Sequence, residues 1–390
     1  MLASRALLLL LYLFSFCSNP VTAVVVPQSV TVQRTTSELF QIGDSTTGGA
    51  CSSDQIDTID GWLKECVEIL NAALTAYHSY STSYTYRTMF SLWLSMSWDD
   101  NEIADFFEAY WELIGTRLAG VATFLSGGGI TGGSGDLPYL FCSDSFAQKQ
   151  EWEYTAIDGT GAEMVKERDD NGEPTSYYTI QEVYPNLKQM QLEGEYDPDP
   201  TNTNKNIAPF LVSRLNGYVF DASGKDELCA KPKRVAATSR SDTNAGSEAG
   251  SPEGFTYATF NRHVYFCDTA FVANPGAPHG YENLADVVSS SNYPTAGAKT
   301  DPSAFTSLSA TLYHELFHLT DSDGTDSDGP GLGYYLASDI MGISWDSRLK
   351  ALLNAPEPYV FFSMGAYILQ NSPSTATPPV FFGPPGWILA

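Results

Sequence analysis

The sequence predicts a helix-rich α+β fold with a small strand region and long loops. Three observations support this class. Apolar residues repeat at helical spacing in the first third of the chain, and again before residue 320. Between these regions, 151–206 contains short strand-like runs separated by acidic turns rich in Gly, Pro and Asn. The length of 390 residues would allow two domains, but no clean linker divides 51–372, which we therefore assign to one domain.

The first 23 residues have the pattern of a secretory signal peptide. Arg5 gives a positive start, residues 6–16 are apolar, and Val21-Thr22-Ala23 forms a small-residue cleavage site. The apolar run is too short to cross a bilayer. We therefore expect a secreted, extracellular protein.

Two helical regions are predicted in the N-terminal third. Residues 24–50 are rich in Thr, Ser and Gly and indicate an extended lead-in. Ser52 and Gln55 form a capping box that begins a helix ending near Tyr77. A second apolar repeat predicts helix over 99–125, and glycines follow it.

The middle and the C-terminal end are predicted to hold strands and loops. We expect strands over 177–183 and 263–266, where β-branched and aromatic residues concentrate. Residues 197–206 indicate an exposed loop, and 236–254, made of small polar residues, indicates a flexible one. Residues 373–390 form a Pro-rich tail.

The cysteines indicate two disulfides and one free thiol. Cys17 leaves with the signal peptide, and the mature chain keeps Cys51, Cys66, Cys142, Cys229 and Cys267. An oxidising compartment favours disulfides, and five cysteines allow at most two. Cys66 is the predicted free thiol, because it is spaced with Trp62 and Ile69 like the buried face of a helix.

The strong negative charge excludes some classes of partner. The chain has 20 basic and 46 acidic residues and a net charge of −26. Such a field repels nucleic acid and anionic membranes, so we expect neither as a partner. High solubility in an acidic extracellular setting is the simplest explanation of the charge. We expect a monomer.

The segment His314-Glu315-Leu316-Phe317-His318 carries the chemistry that the sequence predicts. Histidines at i and i+4 lie on one helix face, where both can bind one Zn²⁺, and Glu315 can act as general base on water. The helix is predicted to start with Asp301 as cap and Pro302 at its first position. Apolar residues on most sides of this helix indicate that it is buried. Only five histidines occur in the chain.

A third zinc ligand is expected from the acidic run after the motif. This run contains Asp321, Asp323, Asp326 and Asp328. A solvated turn and a calcium loop are alternatives, but no glutamate stands at the closing position of an EF-hand loop. One aspartate completing a zinc site fits the preceding histidines better.

The chain resembles the aspzincins, a group of fungal secreted metallopeptidases that includes deuterolysins and lysine-specific metallo-endopeptidases. The resemblance rests on segments 51–55, 264–267, 314–318, 354–355 and 359–362, of which HELFH is the most specific. It implies a single zincin-like catalytic domain that hydrolyses peptide bonds.

The family pattern after the second histidine is GTxDxxYG, with the aspartate as third zinc ligand and the tyrosine as a transition-state donor. This chain has Gly324-Thr325-Asp326-Ser327-Asp328, so Ser327 occupies the ligand position. Asp328 is the first choice for third ligand and Asp326 the second. Tyr335 takes the tyrosine role, although it comes later than the pattern requires.

These observations favour a secreted zinc-dependent endopeptidase that acts on a polypeptide substrate, with Glu315 as general base and His314, His318 and Asp328 holding one Zn²⁺. One alternative is a secreted, non-catalytic zinc-binding protein of the same fold. Another is an extracellular structural protein in which the motif has lost its role.

Overall fold

The fold was obtained as a computed structural model, and it confirms the predicted α+β class. The structure describes residues 24–46, 48–130, 137–193, 207–221, 225–230, 234–239, 250–257, 262–272, 281–289, 305–321 and 355–373. The predicted signal peptide, the loop at 197–206 and the tail from 374 onward lie outside these residues. In the described part, no helix is long and apolar enough to cross a membrane.

Helices dominate the described chain. They are α1 Thr36–Leu39, α2 Ser53–His78, α3 Tyr84–Leu94, α4 Glu108–Leu125, α5 Ile180–Val183, α6 Pro185–Glu193, α7 Leu284–Val287, α8 Ser309–Thr320 and α9 Glu357–Asn371. Helix α2 is central, because α4, α8 and α9 all pack against it, while α3 packs on α9. The apolar faces of these five long helices form the main hydrophobic core.

The strands are short and form small sheets. They are β1 Gln41–Ile42, β2 Trp98–Asp99, β3 Glu102–Ile103, β4 Tyr139–Phe141, β5 Gln148–Lys149, β6 Val165–Arg168, β7 Pro174–Tyr177, β8 Ala208–Val212, β9 Gly217–Asp221, β10 Ala236–Ser239 and β11 His263–Phe266. The sheet that supports the candidate site has the order β1-β4-β11-β10. Its strands are parallel except β10, which runs antiparallel to β11, and α8 packs on β10 and β11.

The central helix begins as the sequence predicts. The Ser52 hydroxyl accepts the N–H of Gln55, and the Gln55 side chain accepts the N–H of Ser52 at 2.8 Å. The lead-in packs on this helix: the Val30 N–H donates to Asn71 Oδ1 at 2.7 Å, and Asn71 Nδ2 donates back to the Val30 carbonyl at 3.0 Å. Helix α1 interrupts the extended course expected for 24–50.

Local turn chemistry changes two predicted elements: one predicted helix starts later than expected, and one predicted strand is wrong. The helix expected from residue 99 starts only at Glu108, since the chain first forms the β2–β3 hairpin with Asp100 at a φ of 54°. Asp tolerates this left-handed conformation better than most residues. The strand expected over 177–183 breaks at Thr179, which forms a capping box with Glu182 and starts α5.

Two further boundaries were wrong because pairing with distant segments decides them. Part of the predicted loop 236–254 forms β10, which pairs along its whole length with β11; β11 itself was predicted correctly. Helix α8, which carries the HExxH segment, begins only at Ser309. The Leu308 N–H donates to the Tyr281 carbonyl at 3.0 Å, and Ser307 forms a β-bridge with Tyr281, so the chain is not helical just before Ser309. The predicted cap at Asp301 and Pro302 lies outside the described residues.

The cysteine prediction is confirmed. Cys51 pairs with Cys142, with Cα atoms 4.8 Å apart, and Cys229 pairs with Cys267 at 5.6 Å. Cys66 is a free, buried thiol on α2. The first bridge joins the start of α2 to the end of β4, and the second begins just after β11. Both therefore fasten the site-bearing sheet to other parts of the chain.

A buried arginine joins three of the long helices. Arg117 on α4 donates from Nε to Asp321 Oδ2, just beyond α8, and from Nη1 to the Tyr359 hydroxyl on α9, both at 3.0 Å. The Arg117 side chain is 6% exposed and that of Asp321 is 10% exposed. Loss of one partner of a buried ion pair leaves an uncompensated charge, which is more costly than loss of both.

We therefore expect Arg117→Met to lower the free energy of unfolding by about 3 kcal/mol, because Asp321 stays buried after losing its ion pair with Arg117. The double variant Arg117→Met, Asp321→Leu should recover part of that loss. Urea denaturation of the three proteins measures both effects. An unchanged midpoint in Arg117→Met would show that this contact contributes nothing to stability.

A half-buried carboxylate, that of Glu65, lies between α2 and α7. Glu65 Oε1 accepts the N–H of Leu284 at 2.8 Å, while Glu65 Oε2 has no hydrogen-bond partner among the described residues. Burial raises the pKa of Glu65 above its ordinary value of 4.5. The folded protein therefore binds this proton more tightly than the unfolded chain does, and the stability it contributes is lost as the pH rises through the folded-state pKa.

Glu65→Gln should remove this pH dependence, since the amide keeps an acceptor for Leu284 and cannot ionise. We expect the free energy of unfolding of the native chain to fall relative to that of Glu65→Gln as the pH rises from 4.5. Denaturation of both proteins between about pH 4 and about pH 7 measures the difference. If the free energies of unfolding of the two proteins changed in parallel with pH, Glu65 would not be the source of the pH dependence.

Candidate metal centre

Helix α8 is buried on nearly every side, as the sequence predicts. Every residue from Ser309 to Thr320 is buried except His314 and His318, which are partly exposed. The apolar positions of the helix pack against α2, α4 and the sheet. Both imidazoles are therefore on the one side of α8 that the described chain leaves partly open.

Polar contacts along its length hold α8 in place. Near its start, the Cys66 thiol donates to the Ser309 carbonyl at 3.6 Å. In its middle, the hydroxyls of Tyr313 and Ser363 lie 3.0 Å apart. Near its end, Arg262 Nη1 donates to the Leu319 carbonyl at 2.6 Å. These contacts connect the helix to α2, α9 and the start of β11.

The two histidines of the motif lie together. Their Nε2 atoms are 3.1 Å apart, and the ring planes meet at 66°. Two nitrogens bound to one tetrahedral Zn²⁺ at about 2.05 Å each would be separated by about 3.3 Å. The observed separation is close to that value. Without a metal, the same contact requires one imidazole to donate and the other to accept.

Glu315 is buried beside the histidines and has a partner on the neighbouring strand. Its residue exposure is 4%, and Thr238 Oγ1 on β10 donates to Glu315 Oε2 at 2.7 Å. The Glu315 carbonyl lies 3.2 Å from the same hydroxyl, but one proton cannot serve both acceptors fully. The shorter contact restrains one oxygen of the carboxylate.

A second carboxylate reaches the first histidine from α9. Glu357 Oε1 lies 3.3 Å from His314 Nδ1, on the side of the ring away from the contact with His318. The Glu357 side chain is 8% exposed, and that of His314 is 17% exposed. Glu357 is the first residue of α9, directly after Pro356.

The other predicted site residues belong to the segment that follows α8 in the sequence. Asp328, Asp326 and Tyr335 lie outside the described residues. Within the described ranges, no group of three or more His, Cys, Asp or Glu side chains is arranged to hold a metal ion. Asp321, the first acid of the run, forms the ion pair with Arg117.

Sequence reasoning missed Thr238, Glu357 and Arg117. Thr238 lies in a segment whose small polar residues indicate a loop, and only its pairing with β11 makes it a strand. Glu357 directly follows Pro356 and precedes a run of mostly apolar residues. This pattern is typical of a helix N-terminus and could have indicated that Glu357 lies there. Arg117 carries no local signal, because its partners are more than 200 residues away.

Comparison with known proteins gives one partial similarity. Over 124 residues, 31% of this chain, the sequence is 30% identical to the "Non-secreted LysM effector LysM17" of Penicillium expansum. The match covers only 14% of that relative, so most of the relative has no counterpart here. No protein-family model and no solved structure matches the chain.

Proposed function

We propose that this protein is a secreted zinc-dependent endopeptidase. The observation that carries the proposal is the 3.1 Å separation of His314 Nε2 and His318 Nε2, close to what one tetrahedral zinc ion requires. Glu315 lies between them in the sequence, buried and held by Thr238. The HExxH order combines both features in one helix turn.

The two imidazoles are also chemically suited to bind zinc. Neutral imidazoles are common Zn²⁺ ligands, and a catalytic site needs three protein ligands and one open position. Bound Zn²⁺ supplies Lewis acidity, which polarises the scissile carbonyl and makes a coordinated water more acidic. The partial exposure of His314 and His318 leaves a side from which a substrate can approach.

Glu315 is the proposed general base. Its carboxylate takes a proton from the attacking water and delivers it to the leaving amine. The hydrogen bond from Thr238 to Oε2 restrains the side chain, so that the other oxygen keeps a defined direction. Burial excludes bulk water, which makes the interaction between this carboxylate and a nearby proton donor stronger than it is in water.

The third ligand and the oxyanion donor are proposed from the segment after α8. The ion pair between Arg117 and Asp321 fixes the position at which this segment begins. Five and seven residues further on, Asp326 and Asp328 can lie up to about 17 Å and about 24 Å away, so chain length excludes neither. Asp328 remains the first choice, and Tyr335 remains the proposed donor to the oxyanion.

The proposed setting is extracellular. Two disulfides and the signal-like start of the sequence favour an oxidising compartment. The net charge of −26 disfavours nucleic acid and anionic membranes, which leaves a polypeptide as the proposed substrate of a monomeric enzyme. The likeness to aspzincin peptidases supports the reaction class and rests on sequence motifs alone.

A non-catalytic, secreted zinc-binding protein is the second candidate. One observation favours it: the aspartate position of the GTxDxxYG pattern is Ser327 here. Stoichiometric zinc binding by the native chain without cleavage of any unfolded protein would select this candidate over the peptidase.

Glu315→Gln is the direct test of catalysis. The amide retains the size of the side chain and its acceptor for Thr238, but it cannot take a proton. We expect the variant to bind zinc as the native chain does and to lose peptide hydrolysis by about a hundredfold or more. Elemental analysis and a cleavage assay on an unfolded protein measure the two properties.

His314→Ala is the matched comparison, because it should lose zinc and hydrolysis together. Undiminished cleavage by Glu315→Gln would remove the general-base role. A native chain that binds no zinc would remove the proposal as a whole.

Zinc content also distinguishes the candidate third ligands. We expect Asp328→Ala to lose most of its zinc, because Asp328 is the proposed third ligand, and Asp326→Ala to retain it. Both variants keep the two histidines. Elemental analysis after dialysis against a weak chelator gives the comparison. The reverse result would assign Asp326, and full zinc in both variants would place the third ligand elsewhere.

A further inference from the structure

We propose that Glu357 is a positioning residue for His314. Its carboxylate accepts the Nδ1–H of His314 and so selects the tautomer whose Nε2 lone pair is free to bind metal. The proposal deepens the zinc assignment and rests on it, because the orientation of His314 matters most if this ring is a ligand. Carboxylates that hold the second nitrogen of a zinc-binding histidine commonly raise metal affinity.

The geometry separates the two nitrogens of the His314 ring by role. Nδ1 faces Glu357 Oε1 at 3.3 Å, and Nε2 faces His318 Nε2 at 3.1 Å. A neutral imidazole has one N–H and one lone pair. With Nδ1 donating to the carboxylate, Nε2 must be the acceptor, and its lone pair points towards His318 and the space where a shared metal would bind.

The position of Glu357 suits a carboxylate that accepts a hydrogen bond from His314. Glu357 is the first residue of α9, where the helix dipole favours an acidic side chain. The side chain is nevertheless only 8% exposed, and a buried carboxylate needs a donor close by. The Nδ1–H of His314 is such a donor, on a different helix.

The first turn of α9 is held firmly enough to act as a support. Tyr359, two residues after Glu357, packs its ring on Phe317 with centroids 5.1 Å apart. Its hydroxyl accepts from Arg117, which also holds Asp321 at the end of α8. The helix that carries the imidazole and the helix that carries the carboxylate are therefore fixed relative to each other within one helical turn of the site.

A role for Glu357 as a zinc ligand is the competing assignment. The two nitrogens of an imidazole point to opposite sides of the ring, so the contact of Glu357 with Nδ1 places this oxygen beside His314 and not between the two Nε2 atoms. The competing assignment predicts that removal of the charge abolishes zinc binding. The positioning role predicts a graded loss.

Nitrogen-15 NMR of the imidazoles in metal-free protein tests the proposal without any catalysis. We expect the native chain and Glu357→Gln to show His314 with its proton on Nδ1, because the glutamine carbonyl still accepts. Glu357→Ala should show a mixture of tautomers. Glu65→Gln is the matched control, since it neutralises another partly buried acid, which bonds to Leu284 and not to His314, and should leave the His314 signals unchanged.

Zinc affinity, measured by competition with a chromophoric chelator, gives the second readout. We expect Glu357→Gln to raise the dissociation constant by about tenfold and Glu357→Ala by up to about a hundredfold. Native affinity in Glu357→Ala, or a proton on Nε2 of His314 in the native chain, would overturn the positioning role. Equal and complete loss of zinc in both variants would assign Glu357 as a ligand.

Failure of the underlying zinc assignment has a different signature. In that case the native chain itself would bind no zinc, whatever residue 357 is. The NMR measurement would still show whether Glu357 selects the tautomer of His314, so the two claims can fail separately.

Discussion

The arrangement of this protein depends on the burial of one short helix that carries two imidazoles and a carboxylate. Helix α8 contacts α2, α4, α9 and the sheet, so its apolar residues fix its rotation about its own axis. That rotation brings His314 and His318 to the one partly open side and places Glu315 beside β10. Hydrophobic packing therefore determines the geometry of the polar groups on this helix.

The polar groups around α8 complete that positioning from three directions. Thr238 on the sheet restrains Glu315, Glu357 on α9 faces His314, and Arg117 on α4 holds the residue that follows the helix. None of these groups is near another in the sequence, and together they leave little freedom to the turn that contains the motif. Preorganisation of this kind is what a catalytic site requires, because small displacements of a reacting group lower the rate strongly.

Much of the fold could be predicted where the signal is local. The capping box at Ser52, the free thiol of Cys66 and strand β11 all follow from short patterns. Pairing between distant segments could not be predicted in this way: β10 becomes a strand only because β11 lies beside it. The site shows the same limit, since HExxH identifies His314, Glu315 and His318 from five residues, whereas Glu357 is brought to them only by the packing of α9.

We propose that His314 and His318, whose Nε2 atoms lie 3.1 Å apart, bind one zinc ion through these atoms. X-ray absorption spectroscopy at the zinc edge, on the full chain loaded with one equivalent of Zn²⁺, tests it most directly. We expect two imidazole nitrogens and oxygen ligands at about 2.0 to 2.2 Å in the native chain, and loss of this imidazole scattering in His318→Ala, which lacks one of the proposed ligands. Zinc surrounded only by oxygen, or a spectrum unchanged by that substitution, would contradict it.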